Sequence, residues 1–177
     1  MLKRALLSAA AVALAATAAF ALDSGLKPGA SVPAFDVVDV SGPNKGKQLC
    51  YRCSYGGAPV VAAFIKKPSA ESAQVVSAVQ KLVDQHKGSN LRAFVVFMGG
   101  NELKGDIAKI AAEKKVSVPL TFLPQGASAS DVAQYKISKE AENTILLWNK
   151  GVVRSNHVNV DKDGWAAVEK SAAEMLK

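Results

Sequence analysis

The residues best suited to chemistry in this sequence are Cys50 and Cys53, which are its only cysteines and have the spacing C-x-x-C. Two thiols at this spacing can cycle between a dithiol and a disulfide, and the thiolate is the reactive form. Arg52 lies between them and could stabilise a thiolate by its charge. The apolar run at residues 60–65 follows the pair. The cysteines therefore precede the buried strand that this run predicts.

The backbone conformation between the two cysteines decides whether they can be bonded. In an extended strand their Cα atoms would lie about 10 Å apart, and their side chains would point to opposite faces. A disulfide needs Cα atoms about 5.5–6 Å apart. Either the chain turns at Tyr51 and Arg52 and a bond can form, or the segment is extended and the thiols stay free.

The sequence leaves three interpretations of the pair open. The first is redox cycling, with one cysteine as nucleophile and the other as resolving thiol. The second is a structural disulfide or two buried thiols, although a four-residue ring contributes only about 2 kcal/mol in the loop-entropy model. The third is half of a tetrahedral zinc or copper(I) site. Only His86 and His157 could complete it. Nothing places either near the cysteines, so no metal and no cofactor is expected.

Two other groups of polar residues could form a site. Lys66 and Lys67 precede a helix that Ser69 is expected to begin, and helix N-termini bind anions. Glu140 and Glu142 could act as an acid–base pair. Because charged side chains usually lie in solvent, we interpret both groups as surface residues.

The remaining aromatic and acidic candidates have structural interpretations. Trp148 and Trp165 are expected to pack in the core or at its edge. Tyr51 and Tyr55 flank the cysteines and could shield them. Asp131 is expected to cap a helix.

The N-terminus has the composition of an export signal. Two basic residues are followed by an uncharged apolar run over residues 5–18 and by an A-x-A site that ends at Ala21. The run is too short to favour a membrane-spanning helix. We expect residues 1–21 to be a signal peptide and residues 22–177 to form one domain. The mature protein would be periplasmic or secreted, without stable membrane insertion, and there a disulfide can persist.

The charge of the chain limits the classes of partner that can be expected. The formal net charge is +7, and two of these charges lie in the expected signal peptide. No dense basic run with interleaved aromatic residues is present, so nucleic acid is not an expected partner. The expected partner is a protein thiol or disulfide.

Hydrophobic patterning and turn signals predict alternating strands and helices. The predicted strands cover residues 35–40, 47–52, 60–65, 91–98, 118–123, 144–148 and 152–158. The predicted helices begin at Ser69, near Leu103, near Asp131 and after Asp161. The order β-β-β-α-β-α-β-(α)-β-β-α implies a partly parallel sheet with right-handed crossovers.

This order, together with several short sequence words, resembles the thioredoxin-like superfamily. It is most similar to the peroxiredoxin and thiol-specific-antioxidant layout, including exported bacterial thioredoxin-domain proteins. The words are GASVPAF at 29–35, GK at 46–47, PVV at 59–61 and TILLWNKG at 144–151. The resemblance covers nearly all of the mature chain. It implies an α/β protein, a three-layer α/β/α sandwich with a mixed central sheet.

The sequence departs from that superfamily at its usual reactive site. There the reactive cysteine lies between the core strand and the next helix, but IKKPSAE at residues 65–71 contains none. A cis-proline often precedes the hairpin strand, and Glu142 or Asn143 stands there instead. Two functions follow as expectations. One is thiol–disulfide exchange by the displaced Cys50 and Cys53, and the other is a non-catalytic binding or structural module with a structural disulfide.

Overall fold

A computed structural model describes residues 22–124 and 130–177, so the expected signal peptide lies outside the described residues. The strands are β1 Val37–Asp39, β2 Gln48–Leu49, β3 Val60–Ile65, β4 Arg92–Phe97, β5 Leu120–Phe122, β6 Asn143–Asn149 and β7 Val152–Val158. The α-helices are α1 Tyr51–Tyr55, α2 Ala70–Gln85, α3 Lys104–Lys114, α4 Ser130–Ala133 and α5 Trp165–Met175. Short 3₁₀ helices cover Lys87–Ser89 and Asn101–Leu103. Over the two described ranges, no helix has both the length and the apolar composition needed to cross a bilayer.

The seven strands form one mixed sheet in the order β2-β1-β5-β4-β3-β6-β7. The neighbours β3, β4 and β5 are parallel, whereas β6 is antiparallel to β3, and β7 is antiparallel to β6. Every residue of β3 is buried, because this strand has a partner on each side and a covering layer on each face. The mixed sheet and the α/β class expected from the sequence are confirmed.

The two faces of the sheet are covered unequally. Apolar residues of α2, α3 and α5 pack on one face. The other face is covered by the segment from Leu26 to Phe35, by α1 and by Val132 and Tyr135. The crossovers through α2 and α3 run the same way across the sheet, so right-handed connections place both helices on one face. The second outer layer is therefore built from an extended segment and short helices instead of long crossover helices.

Helix α2 follows directly from β3 and begins as the sequence predicts. Ser69 is its N-cap, and its hydroxyl accepts a hydrogen bond from Ser72 N at 3.1 Å. The hydroxyl of Ser72 accepts one from Ser69 N at 2.7 Å. The two serines thus satisfy backbone donors that the first helical turn leaves free.

Two aspartates lie where the sequence predicts helix starts, Asp131 as a cap and Asp161 just before the last helix, but neither is an N-cap residue. Helix α5 begins at Trp165 after Gly164, and the carboxylate of Asp161 instead accepts from Gly164 N at 2.8 Å. Helix α4 begins at Ser130, so Asp131 lies inside it. In both cases the polar residue lies in the right turn of the chain, but the helix starts at another residue.

The tryptophans are core residues, as predicted. Trp148 is fully buried among the aromatic residues on the α1 face, and Trp165 is buried on the α2 and α5 face.

Candidate functional site

The two cysteines are joined by a disulfide at the start of α1. Their Cα atoms lie 5.2 Å apart, a separation that the turn into α1 makes possible. Cys50 is the N-cap residue of α1, and its Sγ accepts a hydrogen bond from Cys53 N at 3.0 Å. The predicted return strand through residue 52 is wrong beyond Leu49, where β2 ends.

A helix at this place gave little sequence signal. Cysteine is not among the residues usually preferred as N-caps. A helix of five residues is also too short to show apolar periodicity. The sequence left a turn between the cysteines as one of two alternatives. The tertiary contacts of α1 therefore determine that the chain turns there.

The two bonded cysteines differ in their exposure to solvent. Cys53 is exposed, whereas Cys50 is half-buried. An incoming thiolate can therefore approach Cys53 more freely than Cys50.

Two tyrosines of α1 anchor it to the sheet. The ring of Tyr51 stacks on Phe94 with ring centres 5.5 Å apart, and the hydroxyl of Tyr55 donates to Ala93 O at 3.1 Å. Burial raises the pKa of both phenols above its ordinary value. Both hydroxyl groups are therefore protonated donors at neutral pH. The two tyrosines hold α1 on the sheet, whereas the sequence suggested that they shield the cysteines.

A buried carboxylate accepts a hydrogen bond from the phenol of Tyr51. This residue was not identified from the sequence. Asp39 is 1% exposed and accepts from the backbone N–H groups of Ser41, Gly42 and Asn44. It also accepts from Tyr51 Oη at 2.6 Å. These donors compensate the loss of hydration of a buried charge. The signal that could have revealed it is the run DVSGPN, because an aspartate before such a turn often binds the backbone that follows it.

Arg52 connects α1 to two other parts of the chain. Its Nε donates to Val32 O at 3.0 Å, and its guanidinium lies against Gly151 in the turn between β6 and β7. In the same turn, Lys150 N donates to Gly57 O at 3.3 Å. The helix that carries the disulfide is thus held by segments from both ends of the chain.

The two histidines lie apart from the cysteines. His86 ends α2, and His157 in β7 makes a hydrogen bond of 3.1 Å from Nε2 to the hydroxyl of Ser171. Burial lowers the pKa of His157. Among residues 22–124 and 130–177, no group of three histidine, cysteine, aspartate or glutamate side chains is arranged to hold a metal ion.

Known structures share this architecture. No family model and no curated protein matches the chain by sequence. It is similar to a protein described as thiol:disulfide interchange protein DsbE from Chlorobium tepidum, with 17% identity and a TM-score of 0.70 over 86% of this chain and 99% of that one. It is also similar to a protein described as a protein disulfide isomerase from Bacteroides thetaiotaomicron, with 18% identity and a TM-score of 0.69 over 88% of this chain and 94% of that one. For peroxidoxin BcpB from Mycobacterium tuberculosis the identity is 16% and the TM-score is 0.65, over 85% of this chain and 96% of that one.

The fold is thioredoxin-like. Identities this low establish the architecture alone, and the resemblance that the sequence suggested is confirmed at that level.

The disulfide does not lie at the usual reactive position of a thioredoxin-like fold. Helix α1 contacts Ala93 near the start of β4 and the β6–β7 turn, which lies beside the start of β3. The usual position, the loop at residues 66–69, leaves the opposite end of β3. This strand has six residues, so its ends are separated by about 17 Å.

An ion pair occupies the usual position of the thioredoxin-like site. Lys66 Nζ lies 2.9 Å from Glu142 Oε1, and Lys66 N donates to Glu142 O at 3.0 Å. The hydrogen bond to Glu142 raises the pKa of Lys66. Glu140 is exposed. The lysine that was a candidate for anion binding thus has a carboxylate partner, and these residues are surface charges, as interpreted from the sequence.

A groove of about 900 Å³ adjoins this ion pair on the face that carries α2 and α5. Apolar side chains of Val75, Val160 and Trp165 line it, together with charged residues of both signs such as Lys67 and Glu169. The thioredoxin-like fold therefore presents two separate surfaces, the disulfide at one end of β3 and this groove at the other.

Proposed function

We propose that this chain is an exported protein that exchanges thiols and disulfides with a protein partner through Cys50 and Cys53. The observation that carries the proposal is the hydrogen bond from Cys53 N to Cys50 Sγ, next to an exposed Cys53. When the disulfide opens, this N–H stabilises a thiolate on Cys50, because a donor to the charged form lowers its pKa. Similar structures described as thiol:disulfide interchange proteins support this chemistry.

The exposure of the two residues suggests an order of attack. A partner thiolate attacks Sγ of Cys53, the S–S bond breaks, and its electron pair leaves on Cys50 Sγ as a thiolate. A second partner thiolate then attacks the partner sulfur of the mixed disulfide and releases the Cys53 thiolate. The partner is oxidised to a disulfide by two electrons, and the Cys50–Cys53 pair is reduced. The reverse sequence reduces a partner disulfide.

Export is part of the proposal, and residues 1–21 would be its signal. Processing near Ala21 would leave a mature protein whose N-terminus is Leu22, in a compartment where disulfides persist. Intact mass measurement of the protein from the periplasm or medium of an expressing bacterium tests this. A protein that keeps its first 21 residues and stays in the cytoplasm would contradict export.

Redox titration of the mature protein tests the exchange function. Glutathione and dithiothreitol buffers set the potential, and alkylation followed by mass measurement counts the thiols. We expect a reversible midpoint between about −100 and −270 mV, the range of working oxidoreductases. A midpoint below about −300 mV is typical of a structural disulfide and would contradict the proposal.

Single cysteine variants test the order of attack. Cys50→Ser leaves Cys53 free to form a stable mixed disulfide, and Cys53→Ser leaves Cys50. With a small disulfide as reagent, we expect Cys53 to form the mixed disulfide more readily for steric reasons, and Cys50 to have the lower thiol pKa. A lower pKa on Cys53 would reverse the assignment.

A second function, a non-catalytic binding or structural module, is favoured by the residues at the other end of β3. The loop at residues 66–69 has no cysteine, Glu142 stands near the usual proline position, and a groove lies beside them. In this function the disulfide would only hold α1. An inert disulfide in the redox titration, together with a partner whose binding is lost on Val75→Glu, would support it.

A further inference from the structure

Cationic side chains surround the disulfide-bearing helix. Lys45 and Lys47 lie in the turn between β1 and β2, and Asn44 of the same turn approaches Tyr51 Oη at 3.4 Å. Lys150 lies in the β6–β7 turn, whose backbone is bonded to Gly57. The exposed members of this set, which we call the cationic rim, are Lys45, Lys47, Arg92 and Lys150.

Arg92 precedes Ala93, whose carbonyl accepts the hydrogen bond from Tyr55 of α1, so this rim residue lies beside the helix. The positive charge of Arg92 opposes the effect of burial on the pKa of Tyr55. Arg52 adds a further cation within α1, adjacent to Cys53 in the chain. Lys47 is three residues from Cys50, so their Cα atoms lie within about 11 Å, a separation comparable to the Debye length at physiological salt.

Carboxylates on the same segments do not neutralise the rim. Asp36 and Asp39 are the carboxylates in residues 35–52, 92–97 and 149–151. Asp39 is buried and bonded to its own turn and to Tyr51. Asp36 is exposed and accepts from Gln48 at 2.9 Å. A partner that approaches Cys53 therefore meets a surface with an excess of positive charge.

The groove at the other end of β3 provides a contrast within the same molecule. Its lining includes Lys67 and Lys81 but also Glu71, Asp161 and Glu169. Charged residues of both signs line the groove, so the excess of cations around α1 is a property of that region and not only of the basic chain.

We infer that the partner of the disulfide carries acidic side chains next to its reactive sulfur. The inference rests on the proposed exchange function and specifies the partner class of the same site. Opposite charge raises the rate of encounter at low salt by about tenfold or more, and it stabilises the encounter without requiring an apolar pocket. Positive charge near a disulfide also favours departure of a thiolate, because an opposite charge stabilises the anion that leaves.

Three end-blocked peptides with a central cysteine test the inference, one flanked by four glutamates, one by four glutamines and one by four lysines. The rate at which each reduces the disulfide of the mature protein is measured by alkylation and mass. Each rate is divided by its thiolate concentration and by its rate with uncharged bis(2-hydroxyethyl) disulfide. At about 0.01 M salt we expect the acidic peptide to react roughly tenfold faster than the basic one, and at about 1 M salt the ratio should approach one.

Two triple variants with the same change in net charge provide the control. Lys45→Gln/Lys47→Gln/Lys150→Gln should reduce the ratio severalfold. Lys81→Gln/Lys104→Gln/Lys114→Gln alters α2 and α3 on the other face and should leave it unchanged.

The outcomes separate the two proposals. Equal reduction by all three peptides overturns the acidic partner and leaves the exchange function standing. An equal effect of both triple variants also overturns it, because net charge and not the rim would then be responsible. A disulfide that resists all three peptides and dithiothreitol contradicts the exchange function itself.

Discussion

Tyr51 donates a hydrogen bond of 2.6 Å to Asp39, and both side chains are buried where α1 meets the turn after β1. Tyr51 directly follows Cys50, so this bond fixes the position of the disulfide relative to the sheet. The anchor does not include either sulfur. Helix α1 can therefore stay in place when the disulfide opens, which an exchange reaction requires.

Tyr51→Phe removes this anchor and should lower the free energy of unfolding by about 1.5–3 kcal/mol, because the buried Asp39 carboxylate loses a donor. Urea unfolding measures the loss. Tyr55→Phe is the matched control, since the hydroxyl of Tyr55 donates to a neutral carbonyl, and its loss should be about 0.5–1.5 kcal/mol. Equal losses would contradict the assignment of Asp39 as a charged acceptor.

Removal of the disulfide should cost little stability. Cys50→Ser/Cys53→Ser opens a four-residue ring, which contributes about 2 kcal/mol at most. Serine at position 50 is also a favourable N-cap for α1. The matched variant Cys50→Ala/Cys53→Ala loses the cap as well and should be less stable by about 1 kcal/mol. Thermal and urea unfolding compare them, and an unfolded serine variant would indicate that the disulfide is structural.

Gly25 and Gly46 have the same backbone φ of 83° but different surroundings. A Cβ on Gly25 would lie 2.8 Å from Cγ2 of Thr144, whereas a Cβ on Gly46 would meet open space. Gly25→Ala should therefore be less stable than Gly46→Ala by about 1–3 kcal/mol, the usual cost of overpacking. Unfolding curves measure both variants. Equal losses would show that backbone strain alone determines the cost.

The stability of the protein should depend on pH through His157. Burial lowers the pKa of this histidine in the folded state, so the unfolded state binds the proton more readily. Its contribution to stability is complete above its unfolded pKa of about 6.5 and is lost as the pH falls from there towards the folded pKa.

Thermal unfolding between about pH 8 and pH 5 tests this, with His157→Gln as the comparison. The difference between the two proteins should shift in favour of the variant as the pH falls. A pH profile that is identical in both would contradict the contribution of His157.

Elements whose signals are local could be predicted from the sequence. Strand β3 is continuously apolar over its six residues, and α2 has as its N-cap the serine that its pattern indicates. The mixed sheet follows from the order of such elements. Helix α1 could not be predicted in this way, because its stability comes from Tyr51 and Tyr55 binding residues outside it.

The position of the candidate site was only partly predictable. The sequence places both cysteines before β3 and none at residues 66–69. It therefore shows that the usual position of the reactive cysteine in thioredoxin-like proteins has no cysteine here. The run DVSGPN signals a turn bound by Asp39, but it does not reveal that the phenol of Tyr51 also donates to this carboxylate. The sequence also assigns Arg52 to the sulfurs, whereas the guanidinium is engaged with Val32 and Gly151.

The amino-acid sequence by itself determined which disulfide this protein can form. It has two cysteines with one possible pairing, and their spacing allows a bond only if the chain turns between them. Tertiary structure alone decided that Cys53 is the more exposed of the two and that the turns carrying Lys47 and Lys150 lie beside α1. The physical reason is that exposure and charge density depend on contacts between distant residues, such as Tyr55 and Ala93, which lie 38 positions apart.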